Sequence, residues 1–440
     1  MAQAILQKYG LAANVINRKK CNLAPNHSEV FTIYNFAVQL TSFILRILSL
    51  SLPKIKLFTE GRKEVFPYLR DNIADGDQII WVHTASLGEF EQGLPIIEKL
   101  RPHYPDYRIL VTFFSPSGYE VKKNTASADL VCYLPLDSSK NAKRFLELMN
   151  PKLVIFVKYE IWPNYLRLLS QKKVPTLLIS SLFKENQIYF KPYGGFMRNA
   201  LNSFTHIFVQ DSSSVQLLKS IGLDNTTISG DTRFDRVMEI LERDNSLGFM
   251  EQFQNGSRIM VAGSTWPEDE EVIVPYINSD DTSLKFVLAP HNIKSEHIAK
   301  LKSSINKKTI LYSEIKNHNL ADYKVLIVDT IGILTKIYSY ADISYVGGGF
   351  ATGLHNTLEP AVHGIPVLIG PKYQGFKEAK DLVALGGIVV VNSKSEFKAV
   401  CHQLENDDSL LQKTGNINSR YVTKNKGASD QIMKYIRTLL

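Results

Sequence analysis

Cysteine is scarce in this chain. Cys21, Cys132 and Cys401 are its only three, and they lie far apart with no CxxC pair and no metal-ligand spacing. That usage excludes a disulfide scaffold and fits a reducing, cytosolic compartment. Excess charge is also modest: 51 basic against 43 acidic residues leave +8. The basic residues form no dense Lys/Arg stripe with interleaved aromatics, so nucleic acid is not an expected partner. The surplus suits anionic substrates or an anionic membrane surface instead. No acidic pair stands in a metal-binding context. Asp280-Asp281 and Asp407-Asp408 read as solvated loop acids, and neither metal nor cofactor is expected. No short-period repeat or low-complexity tract occurs, and the apolar and charged fractions are those of a soluble globular protein. A length of 440 residues exceeds one ordinary core and calls for two domains.

A uniformly apolar stretch of about 20 residues, as a membrane-spanning helix requires, is missing too. Phe31 to Leu50 comes nearest, but its polar residues Thr32, Asn35, Gln39, Ser42, Arg46 and Ser49 recur at alternating intervals of three and four. They share one helical stripe, and the remaining circumference is Phe, Ile, Leu, Val, Tyr and Ala. Basic residues follow at Lys54, Lys56, Arg62 and Lys63. A secretory signal would carry its basic residues before the apolar run. Residues 31–56 are therefore expected to be an amphipathic helix lying in the cytoplasmic face of a membrane, peripheral or monotopic. A core helix with one exposed stripe is the alternative. Residues 1–30 show no clear signal.

From Gln78 onward short apolar runs alternate with amphipathic ones. Strands are expected at Ile79–His83, Ile109–Phe113, Leu130–Leu134, Leu153–Val157, Thr176–Ile179 and Ile207–Val209. A second set comprises Ile259–Ala262, Lys285–Leu288, Thr309–Tyr312, Val325–Val328, Ile343–Val346, Val367–Ile369 and Ile388–Val391. Helical patterns such as Asn141–Leu148 and Tyr165–Ser170 lie between. The alternation predicts right-handed βαβ units on parallel sheets. Arg243–Gly256 is polar and lacks a strand, so residues 243–256 are taken as a linker between an N-terminal domain (57–242) and a C-terminal domain (257–440). The expected fold class is α/β, with two Rossmann-like domains facing a central cleft, where ligands bind beyond the strand ends.

The densest chemistry lies in Gly347–Gly370, GGGFATGLHNTLEPAVHGIPVLIG. Glycines after a strand and before a helix start can admit an anion to backbone N–H groups, which singles out Gly348 and Gly349. His355, Asn356 and Glu359 follow at a turn and the first helical turn, where the Glu359 carboxylate could take two ribose hydroxyls. The same residues could equally be tight-turn glycines and a first-turn acid. In the N-terminal half Glu89 and Glu160 each fall at a strand-to-helix junction. A carboxylate there is placed for general-base work, or is simply a helix N-terminal acid; Pro163 suits the first turn of a helix.

These segments together resemble the 3-deoxy-D-manno-octulosonic acid (Kdo) transferases of lipopolysaccharide synthesis, which are GT-B glycosyltransferases. The family's SVGE corresponds to Ser86-Leu87-Gly88-Glu89, and its TPTGYE to Ser115-Pro116-Ser117-Gly118-Tyr119-Glu120. YLPYD corresponds to Tyr133-Leu134-Pro135-Leu136-Asp137, and ETELWPN to Lys158-Tyr159-Glu160-Ile161-Trp162-Pro163-Asn164. GNLKFD corresponds to Gly230–Asp235, AAST to Ala262–Thr265 and GDTMGEL to the segment from Asp329, while the HNxLEP motif lies at His355–Pro360. The match in order and spacing runs from about Phe31 to the C-terminus.

The resemblance implies transfer of Kdo from CMP-Kdo to a lipid A precursor, an inverting displacement at the cytoplasmic face of the inner membrane. It makes Glu89 the base and gives Glu160 a role in positioning the acceptor or the reacting sugar. The nucleotide would lie near Ser264, Ile331, Gly332, Gly348, Gly349, His355, Asn356 and Glu359. Two departures stand out. Ala289-Pro290-His291 replaces Pro-Arg-His, leaving His291 and Arg233 as candidate phosphate contacts. Lys158 replaces the first Glu of ETELWPN. Two other functions remain open: another GT-B transferase or an epimerase using a UDP-sugar, and a catalytically inactive, membrane-associated nucleotide-binding protein.

Overall fold

The computed structural model describes residues 27–440, so most of the 1–30 extension lies outside the described residues. Two compact units make up the chain: residues 1–232 with 427–440, and residues 233–426.

The first unit is built on β1 (Gln78–Thr84), β2 (Tyr107–Phe113), β3 (Leu130–Tyr133), β4 (Leu153–Val157), β5 (Thr176–Ser181), β6 (His206–Val209) and β7 (Thr226–Ile228). All pair in parallel, in the order β3-β2-β1-β4-β5-β6-β7. The second unit holds β8 (Ile259–Thr265), β9 (Lys285–Pro290), β10 (Thr309–Leu311), β11 (Val325–Ile327), β12 (Ile343–Val346), β13 (Val367–Ile369) and β14 (Ile388–Val390). They too are parallel, in the order β10-β11-β9-β8-β12-β13-β14. Helices cover both faces of a parallel sheet, so central strands are buried on both sides and read as unbroken apolar runs. Leu153–Val157 and Ile343–Val346 are buried throughout. Strand β7 escaped the sequence pattern. It is a three-residue edge strand of sequence TTI, with Ile228 exposed, and has too few residues and too little burial to stand out.

The domain limits read from sequence need two corrections. The stretch 243–256 is no linker. It contains the helix Gly248–Gln254, whose Met250 and Phe253 are fully buried against Ile259 and Val261 of β8. The polar residues Glu251, Gln252 and Gln254 hid two core anchors. The chain also does not end in the second unit. The helix Ala428–Ile436 belongs to the first, where Ile432, Met433 and Ile436 pack with Ile80, Val82 and Ile97. An amphipathic terminal helix declares its apolar face but not which sheet will cover it.

The N-terminal helix runs His27–Leu48, four residues earlier than expected. It breaks before a second helix, Pro53–Glu60, which carries Lys54 and Lys56. Its circumference divides between an edge docked on the protein and an exposed apolar face. Phe31 and Tyr34 meet the Phe196 ring at 4.9 and 5.4 Å, and Tyr34 donates to Asp137 at 2.7 Å. Asn35 accepts from the Ser139 N–H at 2.8 Å. The expected polar stripe is thus partly a docking edge, because Asn35 is spent on the protein. Ile33, Phe36, Leu40, Phe43, Ile44 and Ile47 are exposed, Phe36 by 66% and Phe43 by 61%. Glu29–Leu48 is long and apolar enough to cross a membrane by length and composition, and none of it is buried inside the protein. A core helix is therefore ruled out.

Candidate functional site

In the first unit the strand order reverses beside β1, whose chain neighbours β2 and β3 lie on one side while β4 lies on the other. Open parallel sheets bind ligands beyond the carboxyl ends of strands at such a point. Both sequence-identified acids emerge there. Glu89 occupies the first turn of the helix Leu87–His103, five residues past the end of β1, and is half-buried. The Ser86 hydroxyl donates to its carboxylate. Glu160 leaves β4 after Lys158, which adopts a left-handed backbone with φ 70°. Such a conformation is uncommon for a residue with a side chain and marks a constrained turn. Glu160 is buried, and its Oε2 lies 2.9 Å from Trp162 Nε1 and 3.2 Å from His83 Nε2.

Several resemblance motifs in this unit prove to be framework. Asp137 accepts from the N–H groups of Asn164 and Tyr165, both at 3.1 Å, and from Tyr34. It thereby caps the helix Pro163–Gln171 and anchors the N-terminal helix. Burial pushes its carboxyl up to about 6 against the lowering effect of those donors, Tyr34 first. Asn164 in turn donates to the Asp137 carbonyl at 2.7 Å. The YLPLD and WPN segments are therefore one interlocked corner.

In the second unit β8 lies between β9 and β12, and the ends of these three strands converge on one cluster. Trp266, beyond β8, stacks on His291, beyond β9, with centroids 4.7 Å apart and an interplanar angle of 17°. His291 in turn lies 4.7 Å from the His355 ring. The Trp266 indole N–H donates to His355 Nε2 at 3.1 Å. Indole nitrogen only donates, so Nε2 holds the lone pair and Nδ1 the proton of a neutral imidazole. Burial, and secondarily His291, hold His355 below its ordinary pKa. Asn356 accepts from Leu358 N–H at 3.1 Å and donates to Glu359 at 3.0 Å. Glu359 is half-buried on a helix of only four residues, Leu358–Ala361, shorter than the sequence pattern implied. Ser264 sits at the end of β8 with φ 55°. Ile331, 82% exposed, and Gly332 form an open loop beyond β11.

Two sequence assignments need correction. The glycine run is not open at Gly348 as expected. Gly348 N–H already donates to the Asp269 carboxylate at 2.7 Å. Gly347 has no room for a Cβ against the Ser264 carbonyl, and Gly348 (φ 92°) has none against Gly353; Gly349 is buried against the Gly370 backbone. The cradle is occupied by the protein's own anion. Asp269, fully buried, also accepts from Tyr345 Oη at 2.7 Å and from Trp266 N–H at 2.9 Å. The second correction concerns Arg233. Its guanidinium makes a bidentate pair with buried Glu378 at 2.8 and 3.2 Å, which commits the fork that a phosphate would need. Sequence reading passed over Asp269, Trp266 and His83. The clue to the first was its place three residues beyond the Trp266 N-cap, a capping-box spacing. Among the described residues no group of three or more His, Cys, Asp or Glu side chains is arranged to hold a metal ion.

Comparison with known proteins fits this geometry. Residues 59–236 match the family model described as 3-deoxy-D-manno-octulosonic-acid transferase (kdotransferase). The chain is 31% identical over 335 residues to the 3-deoxy-D-manno-octulosonic acid transferase of Aquifex aeolicus, covering 74% of this chain and 85% of that protein. Identity to the Chlamydophila psittaci enzyme of the same name is 26%, covering 83% and 88%. Among solved structures, the UDP-GlcNAc 2-epimerase from Neisseria meningitidis superimposes with a TM-score of 0.57 at 18% identity, covering 82% of this chain and all of that one. MurG from Acinetobacter baumannii superimposes with a TM-score of 0.52 at 10% identity, covering 82% and 99%. At such identities the two structures establish a shared fold alone. The relationship to the transferases covers most of both chains, so the protein belongs to the Kdo transferase family and is a glycosyltransferase.

Proposed function

We propose that the protein moves Kdo from CMP-Kdo to a lipid A precursor, with inversion at the anomeric carbon. The acceptor hydroxyl oxygen bonds to that carbon as the bond to the CMP phosphate breaks. CMP departs with the bonding pair, and Glu89 takes the hydroxyl proton. Glu160 faces the positive charge that develops on the reacting sugar. No further cofactor enters, because the donor brings its own leaving group. The observation that carries this reading is the emergence of Glu89 and Glu160 beyond adjacent strands β1 and β4 at the reversal of strand order. Incubation with CMP-Kdo and a tetra-acylated lipid A precursor, followed by mass spectrometry, tests it. A product heavier by at least one Kdo is expected, and an unchanged acceptor refutes the assignment. Selective thermal stabilisation by UDP rather than CMP would instead favour a UDP-sugar enzyme.

In the second unit we assign the CMP ribose to Glu359, and the phosphate to exposed His291 at the edge of the ring cluster. Glu359→Ala should then weaken CMP binding by roughly 1.5–3 kcal/mol, the range for hydrogen bonds to a charged group. Calorimetry checks this, and an unchanged affinity would remove Glu359 from the nucleotide site.

We place the N-terminal helix in the cytoplasmic leaflet of the inner membrane, its exposed apolar face inserted and Arg46 at the headgroups. A spanning placement would bury Arg46 in hydrocarbon at a cost of roughly 2.5–3.5 kcal/mol or more. Replacing Phe36, Phe43 and Ile47 together with Ser should move the protein to the supernatant in liposome flotation. Activity on membrane-embedded acceptor should fall more than activity on detergent-dispersed acceptor. Undiminished flotation would contradict the placement.

A further inference from the structure

We propose that His83 is a positioning residue for Glu160, holding one carboxylate oxygen so that the other is presented to substrate. The idea rests on the reading of Glu160 as a site carboxylate. His83 is the penultimate residue of β1 and is fully buried among the Trp81, Phe156 and Trp162 rings. An imidazole in such surroundings is unfavourable unless its nitrogens are paired, and both are.

The partners determine where the proton sits. Thr112 Oγ1 lies 2.8 Å from Trp81 Nε1 and 2.8 Å from His83 Nδ1. Indole can only donate, so the Thr112 oxygen accepts from Trp81. The Thr112 hydroxyl can meet Nδ1 as donor or as acceptor, whereas a carboxylate oxygen only accepts, so Nε2, which faces Glu160, carries a proton. That N–H points at Glu160 Oε2, 3.2 Å away, where Trp162 Nε1 also donates at 2.9 Å. Two donors converge on Oε2, while Oε1 accepts no hydrogen bond among the described residues. The terminal torsion of a glutamate is broad and two-fold. Two N–H groups, that of His83 anchored through Thr112 on β2 and that of Trp162, select one setting and leave Oε1 for the substrate.

The test compares kcat and KM for His83→Leu, His83→Gln, Glu160→Gln and the His83→Leu/Glu160→Gln pair. His83→Leu removes the donor and should lower kcat about 10- to 100-fold, the loss of a hydrogen bond to a charged group, with little change in either KM. His83→Gln keeps an N–H at nearly the same place and should retain clearly more activity than His83→Leu. In the Glu160→Gln background His83→Leu should add no further loss, since the two act as a unit. Wild-type turnover in Glu160→Gln would overturn the reading of Glu160, and this proposal with it. An impaired Glu160→Gln with a fully active His83→Leu, or equal losses in both backgrounds, would overturn the proposal alone. So would equal losses in the Leu and Gln variants. A readout on the unmodified protein is independent of how the variants fold. Long-range ¹H–¹⁵N spectra, with the His83 signals assigned by their absence in His83→Gln, should show a proton on Nε2; an Nε2 that carries only a lone pair would refute the proposal.

Discussion

Glu89→Gln should lower turnover by about 10²–10⁴-fold, the usual contribution of a general base, while leaving the fold and CMP affinity unchanged. The amide keeps the size of the side chain and its hydrogen bond from the Ser86 hydroxyl but cannot take a proton. Glu89 stands in the first unit, whereas the residues assigned to the nucleotide lie in the second, so binding and chemistry should separate cleanly. Single-turnover kinetics with saturating CMP-Kdo, alongside calorimetry with CMP, measures both. Wild-type turnover would reduce Glu89 to a helix-end acid, stabilised by the helix dipole by about 0.3–1 kcal/mol and nothing more.

Asp269→Ala should be among the most destabilising substitutions in the second unit, at roughly 3–5 kcal/mol. Four donors lose their acceptor at once: the Gly348 N–H, the Tyr345 hydroxyl, the Trp266 N–H and, at longer range, the Phe350 N–H. A buried donor left without a partner costs about 1–3 kcal/mol, and single changes beyond about 4–5 kcal/mol are rare. The loss should also loosen the Trp266–His291–His355 cluster, because Asp269 ties the start of the helix Pro267–Ile277 to the glycine turn beyond β12. Chemical denaturation monitored by tryptophan fluorescence tests the first effect. A shift below about 1 kcal/mol would mean that water replaces the carboxylate at these donors.

Strand ends were readable because a buried parallel strand declares itself as an apolar run, and the first polar residues after it must lie at the sheet edge. That logic located Glu89 and Glu160 without knowledge of strand order. His291 was named through the family resemblance and His355 through the loop beyond β12; their clustering with Trp266 was not foreseen. The glycine run illustrates the limit. Gly347-Gly348-Gly349 has the composition of a phosphate loop, and the actual occupant is the carboxylate of Asp269, 79 residues away from Gly348. Arg233 misled for the same reason, its fork taken by Glu378, 145 residues away. Local patterns report which donors a turn exposes, not which distant acceptor reaches them.

The sequence by itself determined the alternation of strand and helix, the two-unit organisation, the residues that leave the strand ends, and an apolar N-terminal helix. All of these follow from periodicity and hydrophobicity over a few residues. Tertiary structure alone decided that the final helix completes the first unit, that residues 243–256 contain core, and that one edge of the N-terminal helix docks through Tyr34 and Asn35. It alone placed His83 against Glu160, 77 residues apart. Such pairings join groups far apart in the chain, and their partners exist only once the parallel strands have set the order in which their ends meet.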